Sequence, residues 1–304
     1  MSSLISYNEV AALLIFSKDN SFHLIISDSY SELNNNSDKF LIKIKDFIVS
    51  NEFFELYTDS ETGITWTEVK ENHNHLSYYQ SENYIPHSDK KGLLGFLYSF
   101  SQRLMFVYKR ILLMKQLKES RSVLDYGAGD GKFAKYLEKK GKKIFTYDPL
   151  KGNSSNNINL SQNADFQVDM IMMWHVLEHI PDLEKVFPQI LERVNKNGFL
   201  VIAVPNRDCF DAKYYKNHWA AWDVPRHLYH FNHKSLLNFM SCHGLSLVFK
   251  RPLALDSYYV SYLSEKNKKS YFPWISAIII GLISNTLALF SSNYSSSVYV
   301  FKRD

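Results

Sequence analysis

Four groups of residues in this 304-residue chain stand at spacings that chemistry can use. The first is Asp125-Tyr-Gly127-Ala128-Gly129-Asp-Gly131, an acid followed by glycines at alternate positions, with Asp148 and Pro149 after the next apolar run. Glycines at such a bend let the main chain turn sharply and let a ligand approach backbone N–H groups where a Cβ would collide with it. A carboxylate at the tip of the following strand is placed to accept hydrogen bonds from both hydroxyls of a ribose. The second group is His175, Glu178 and His179, in the order H-x-x-E-H. The third is the aromatic segment Trp219-Ala-Ala-Trp222-Asp223-Val-Pro225-Arg226-His227-Leu-Tyr-His230-Phe231. The fourth, Pro273 to Phe290, carries no charge and is close to the ~20 residues that cross a bilayer.

Each group is compatible with more than one chemistry. The glycine spacing departs from the dinucleotide fingerprint G-x-G-x-x-G, and the acid two positions before Gly127 would repel a diphosphate. That same acid suits the cationic amino-acid end of S-adenosylmethionine, which places NAD second. H-x-x-E-H supplies metal ligands in zinc peptidases when it lies inside a helix, whereas here it follows a buried apolar strand. A divalent ion that polarises a hydroxyl is a second reading of it. The preferred one has Glu178 and His179 capping and packing a helix with no metal bound. In the aromatic segment, Arg226 and His227 offer a clamp for an acceptor carboxylate or phosphate and a general base, while Trp219 and Trp222 offer flat walls. His175, at the end of its strand, is a further catalytic candidate.

The elements that must position these groups follow from hydrophobic periodicity. Leu93, Phe96, Leu97, Phe100, Leu104, Val107, Ile111 and Met114 recur at helical steps and predict a helix over Gly92 to Leu117. Strands are expected at Ser122 to Tyr126, Lys143 to Tyr147, Asp169 to Met173 and Phe199 to Val204. Helices are expected at Phe133 to Lys140, Leu183 to Val194 and Lys234 to His243, with a closing strand pair at Leu245 to Arg251 and Ser297 to Lys302. This alternation predicts an α/β fold, a Rossmann-like and mostly parallel sheet of seven strands with an antiparallel closing strand. Residues 1–91 mix short apolar runs (Ala11 to Phe16, Phe22 to Ile26, Phe40 to Val49) with polar joins, and are expected to form a small accessory region. Residues 92–304 form the main domain, with an apolar helical insertion at 264–293. The insertion is expected to pack as a buried helix, to cap a greasy substrate, or to rest on a membrane surface.

Bulk composition narrows the classes further. Hydrophobic content of 45% supports a full core, and a formal charge of +4 with scattered Lys and Arg argues against a nucleic-acid groove. Cys209 and Cys242 have no Cys-x-x-Cys partner, so neither a disulfide framework nor a thiolate zinc site is expected. Glu9 interrupts the first apolar run and no basic start precedes it, which points away from a secretory signal and towards the cytoplasm.

Asp125 to Gly131, Asp148 and Asp169 to Asp182, taken as a set, resemble class I S-adenosylmethionine-dependent methyltransferases over Ser120 to Asn206. The resemblance implies that Asp125, Gly127, Ala128 and Gly129 cradle the methionine moiety, that Asp148 with Pro149 holds the ribose, and that Trp174 and His175 line the transfer pocket. Ser161, Gln162 and Asn163 are its candidates for the adenine. The Asn-Pro-Pro-Tyr-type tetrapeptide of amide and base N-methyltransferases is missing where Trp174-His-Val-Leu stands, so a small-molecule or lipid-linked acceptor, methylated at oxygen, is expected ahead of RNA or protein. A non-catalytic cofactor-binding module is the alternative from outside the enzymes. The aromatic segment, with Tyr78, Tyr79, Tyr84, Ile85 and His87, is similar to a bacterial subgroup of methyltransferases that often carries an N-terminal zinc ribbon. Here no cysteine precedes Cys209, so any ribbon around Thr58 to Trp66 must stand without zinc.

Overall fold

The computed structural model describes residues 39–69, 78, 93–149, 158 and 165–304, with side chains of the first helix from residue 102 onward. Ala11 to Phe16, Phe22 to Ile26, Tyr79, Tyr84, Ile85, His87, Ser161, Gln162 and Asn163 lie outside the described residues.

Side chains that alternate along the central strands sort onto two faces, as the two-residue period of a strand demands. The strands are β4 (Ser122–Tyr126), β5 (Lys143–Tyr147), β6 (Val168–Trp174), β7 (Val194–Pro205), β9 (Leu245–Pro252) and β10 (Ser296–Arg303), in the order β5-β4-β6-β7-β10-β9. The first four run parallel, and β10 runs antiparallel between β7 and β9. Leu124, Ile171, Met173, Leu200 and Ile202 point to one face and join Leu183, Val186, Phe187 and Ile190 of a helix. Val123, Met170, Met172, Val201 and Val300 point to the other and join Leu117, Phe133 and Leu137. The Rossmann-like architecture expected from the alternation is thus present. Six of the seven expected strands are described, and residues 150–157 and 159–164, between β5 and β6, lie outside the described residues.

The helices are α1 (Leu93–Leu112), α2 (Met114–Glu119), α3 (Lys132–Glu138), α4 (Leu183–Leu191), α5 (Phe210–Tyr215), α6 (His233–Cys242), α7 (Ala254–Asn267) and α8 (Pro273–Ser291). The helix expected over Gly92 to Leu117 is broken at Leu113 into α1 and α2. The helix expected to reach Val194 stops at Leu191, because Val194 already pairs with Val168 at the start of β7. The insertion is a pair of helices that begins earlier than residue 264.

The accessory region contributes β1 (Lys39–Lys45), β2 (Phe53–Thr58) and β3 (Thr65–Thr67), an antiparallel sheet whose turns are closed by carboxylates. Asp46 accepts from the N–H groups of Ile48, Val49 and Ser50, and Asp59 from those of Glu61 and Thr62. The fourth strand of this sheet is β8 (Tyr229–His230), from the aromatic segment of the main domain, with Thr65 opposite His230 and Trp66 opposite Tyr229. The first and last thirds of the chain are therefore joined at one hydrogen-bonded edge.

Candidate functional site

At the C-terminal end of β4, Gly127, Gly129 and Gly131 all adopt positive φ (76°, 57° and 66°), the left-handed region that glycine enters without steric cost. At Gly127 a Cβ would also stand 2.4 Å from a methyl of Val176, so no larger residue fits the turn. The N–H groups of Gly127 and Ala128 donate to the Tyr147 carbonyl at 2.7 and 3.1 Å. The Gly129 N–H donates to Asp148 Oδ2 at 2.7 Å. The second acid thus sits against the glycine bend of the neighbouring strand, with Pro149 next to it. This is the crevice at the carboxyl ends of the strands where open α/β sheets take ligands.

Asp125 lies beneath this bend, almost fully buried. Burial pushes its carboxyl well above the usual range; the Lys109 ammonium opposes that rise, while Asp148 and Asp130 add to it. Lys109, from α1, is pushed below its ordinary value by the same burial. Its Nζ stands 3.9 Å from the centre of the Trp174 ring, which in turn meets Phe133 edge-on at 5.8 Å. Trp174 is therefore a wall of the crevice, held by a cation–π contact. Lys109 had no signature in the sequence, because its helix reads only as an amphipathic stripe.

His175 follows with φ of 55°, a conformation rare for a residue with a Cβ, and its N–H donates to Ala203. Its ring lies between Asp256 (Nε2 to Oδ2, 3.2 Å) and Glu178 (Nδ1 to Oε1, 3.4 Å). Burial alone would lower this imidazole, but hydrogen bonds and charge from the two carboxylates outweigh it and raise it to about 9. At neutral pH it is a cation and cannot serve as a base, which corrects the expectation that it is a free catalytic histidine. Asp256 belongs to α7, a helix without a sequence signal, and was not anticipated.

Glu178 and His179 occupy a 3-10 turn, Leu177–His179. The Glu178 carboxylate is buried and accepts from no backbone N–H, so it does not cap a helix as expected. It faces His175, and His227 Nε2 stands 3.9 Å from its Oε1. His179 Nδ1 meets the Arg226 carbonyl at 2.9 Å, and His227 Nδ1 meets the Ala221 carbonyl at 2.9 Å. A carbonyl only accepts, so each ring carries a proton on Nδ1 and, in its neutral form, presents Nε2 as a lone pair. Burial, with His227 alongside, pushes His179 down to about 4 against the pull of Glu178 and Asp223, which keeps it neutral. One donor atom from each of Glu178, His179 and His227 lies within 4.8 Å of the others. Two imidazole nitrogens and a carboxylate in this arrangement suit either abstraction of a proton or a divalent cation.

Arg226 does not reach this space. Its guanidinium is 1% exposed and donates to Asp46 at 3.1 Å and Asp223 at 2.7 Å. The expected clamp for an acceptor anion is instead a buried tie between the main domain and the accessory turn. Thr67 completes the tie, with its Oγ1 2.8 Å from both the His227 carbonyl and His230 Nε2. Trp219 and Trp222 pack into a third core with Ile44, Phe54, Leu56 and Tyr215. A narrow cleft beside His227 is lined by Pro205, Arg207, Trp219, His230 and Phe231.

Residues 100–249 match the family profile described as a methyltransferase domain. This segment is a methyltransferase domain. Its sheet order and glycine bend agree with the Rossmann-like architecture that the resemblance implies. Among curated relatives, the ubiquinone biosynthesis O-methyltransferase of Rickettsia bellii (strain OSU 85-389) is 24% identical over 155 residues, covering 45% of this chain and 63% of its own. That of Rickettsia typhi is 22% identical over 136 residues, covering 39% and 55%. The chain thus spans less than two-thirds of the length of these relatives. Among solved structures, an S-adenosylmethionine-dependent methyltransferase from Archaeoglobus fulgidus aligns at 17% identity and TM-score 0.43, over 68% of this chain and 99% of its own. Coclaurine N-methyltransferase bound to N-methylheliamine and SAH aligns at 15% identity and TM-score 0.42, over 75% and 78%.

Proposed function

We propose that the methyltransferase domain transfers the methyl group of S-adenosylmethionine to a hydroxyl oxygen of a small-molecule or lipid-linked acceptor. The observation that carries the cofactor half of this reading is the Asp148 carboxylate seated on the Gly129 N–H, directly above buried Asp125. In this reading the ribose hydroxyls bond to Asp148, and the methionine ammonium bonds to Asp125. Lys109 would pair with the methionine carboxylate, and Trp174 would wall the cofactor's reactive end. Burial of Asp125 favours this, since a carboxylate in low dielectric gains most from an arriving cation.

Methyl transfer from a sulfonium is an in-line displacement, so the protein must chiefly align the acceptor, exclude water and remove the hydroxyl proton. His227 Nε2 takes that proton in this reading, with Nδ1–H anchored on the Ala221 carbonyl and Glu178 stabilising the imidazolium that forms. The names of the curated relatives support oxygen as the methylated atom. A second reading rests on the Glu178 carboxylate, buried with only the long His175 contact at 3.4 Å and standing beside the two imidazole Nε2 atoms of His179 and His227. Glu178, His179 and His227 would hold a divalent cation, which when bound supplies a Lewis acid for the hydroxyl.

Mass spectrometry of a cell extract incubated with the protein and isotopically labelled cofactor should reveal one labelled O-methyl product. His227→Ala should then lower turnover by about a hundredfold or more while calorimetry finds cofactor affinity unchanged. Tight cofactor binding with no labelled product would favour a regulatory module instead. Restoration of turnover in the wild type by magnesium or zinc after chelation would select the cation reading over the simple base.

A further inference from the structure

Among the described residues, α8 is the one helix long and apolar enough to cross a membrane by length and composition, and its side chains are arranged the wrong way round for a soluble protein. An amphipathic surface helix turns its bulky apolar stripe inward and its polar side outward. In α8 the inward positions are Ala277, Ile280, Gly281, Ser284 and Ala288. The outward positions are large and apolar: Trp274 is 63% exposed, Ile278 58%, Leu282 57% and Phe290 88%. Ile275, Ile279 and Leu287 fill the same face, and the exposed hydroxyls of Thr286 and Ser291 are returned to the Leu282 and Leu287 carbonyls.

The partner helix repeats the inversion. Ser257, Ser261 and Ser264 of α7 are buried, while Leu255 and Tyr259 are exposed. Small residues let the two helices approach closely: a Cβ at Gly281 would stand 2.6 Å from the Tyr258 ring, and Ser257 donates to the Gly281 carbonyl. Close packing of small residues is how helices associate in lipid, where burial of apolar surface between them brings no gain. The polar side of α8 is pinned to the domain, Ser284 by Asp211 at 2.7 Å and Asn285 by the Ala254 carbonyl at 2.9 Å. Strand β10 then returns directly to the sheet between β7 and β9. A helix held along its length in this way lies against the domain and does not cross a bilayer.

Charge identifies what covers the outward face. No Asp, Glu, Lys or Arg interrupts it, and cations stand at both ends. Lys266, Lys268 and Lys269 lead into its N-terminal end, and Lys250 bonds the Ser292 carbonyl just past its C-terminal end. Tyr271 and Phe272 are exposed at the N-terminal border, and Trp274 stacks on Tyr262 at 4.0 Å. Aromatic rings and lysines that flank an uncharged face match the boundary between acyl chains and anionic headgroups. We infer that the α7–α8 hairpin is a membrane-surface anchor, with the outward face of α8 sunk into the acyl border of an anionic bilayer and the lysines against its phosphates. Asp256, in the first turn of α7, reaches His175, so the same hairpin that meets the bilayer also helps to wall the cofactor crevice.

The inference is tested without any methyl transfer and so stands or falls apart from the proposed reaction. Full-length protein is floated with phosphatidylcholine vesicles, with or without about one-third phosphatidylglycerol. The wild type should float with the anionic vesicles and more weakly with neutral ones. The double variant Ile278→Glu, Leu282→Glu should lose about tenfold or more of its partitioning at unchanged circular dichroism, since both positions are exposed. Lys266→Glu with Lys269→Glu should abolish the preference for anionic vesicles and leave weak binding to both. Failure of the wild type to float with either vesicle would overturn the inference. So would a wild-type dimer in light scattering that the Ile278→Glu, Leu282→Glu variant converts to a monomer, because a second copy would then be what covers the face.

Discussion

The glycine bend and the cluster around Glu178 lie at the same end of the sheet but are built on different principles. The bend spans a short stretch of β4 and its following turn, and it works through main-chain N–H groups, positive φ angles and one carboxylate from the adjacent parallel strand. The cluster collects side chains from the 3-10 turn at Glu178, the segment around His227 and the first turn of α7, and the Arg226–Asp46 pair holds that segment to the accessory turn. A site written in backbone geometry tolerates change around it. One assembled from distant side chains depends on every tie that holds those segments together, so its binding chemistry and its stability cannot be separated as cleanly.

That contrast is broken or sharpened first at Arg226. Arg226→Ala removes the charge partner of buried Asp46 and the guanidinium that ties the turn after β1 to the segment before β8. Loss of one partner from a buried ion pair costs about 3–5 kcal/mol, so a large drop in the denaturant midpoint is expected. In the fraction that stays folded, cofactor affinity should be near that of the wild type. A variant with unchanged stability and a selective loss of acceptor affinity would show that Arg226 meets the acceptor after all. The opposite separation is expected at the bend: Asp148→Ala should weaken cofactor binding by roughly 1–3 kcal/mol, the worth of hydrogen bonds to a charged group, while the melting temperature barely moves. If calorimetry finds equal affinity, the carboxylate on Gly129 is only a turn support and the ribose lies elsewhere.

The same contrast explains what could be read from the chain. The bend, Asp148 and the parallel strands were legible because their signals are local: glycine at alternate positions, an acid at a strand tip, alternating apolar residues. Helix α7 was not, because its buried side is serine and the stripe that normally reveals a helix is absent. The role of Arg226 was misread because its partner Asp46 lies 180 residues away, and a buried arginine beside proline and histidine looks the same in sequence as an anion clamp. The pairing of Thr65 with His230 is equally remote, so the accessory strands read as an independent unit although β8 completes their sheet. Lys109 reaches the crevice from a helix whose sequence pattern reports only which side is buried, and Asp256 from one that carries no such pattern.

The smallest effect expected is the pH dependence that His175 lends to stability, and it separates a side chain that bridges the two regions from one that belongs to either. The imidazole titrates near 6.5 in the unfolded chain and is raised to about 9 in the folded one by Asp256 and Glu178. Because the folded protein binds this proton more tightly, the stabilisation is fully present below 6.5 and disappears as the pH rises through 9. The ring is one-third exposed, so solvent screens part of the effect. In His175→Gln the neutral amide cannot follow that titration. Thermal melts of both proteins should therefore differ most at slightly acid pH and converge above 9. A constant difference across the range would mean that the ring contributes packing alone and that α7 is held to the crevice by something other than this charge.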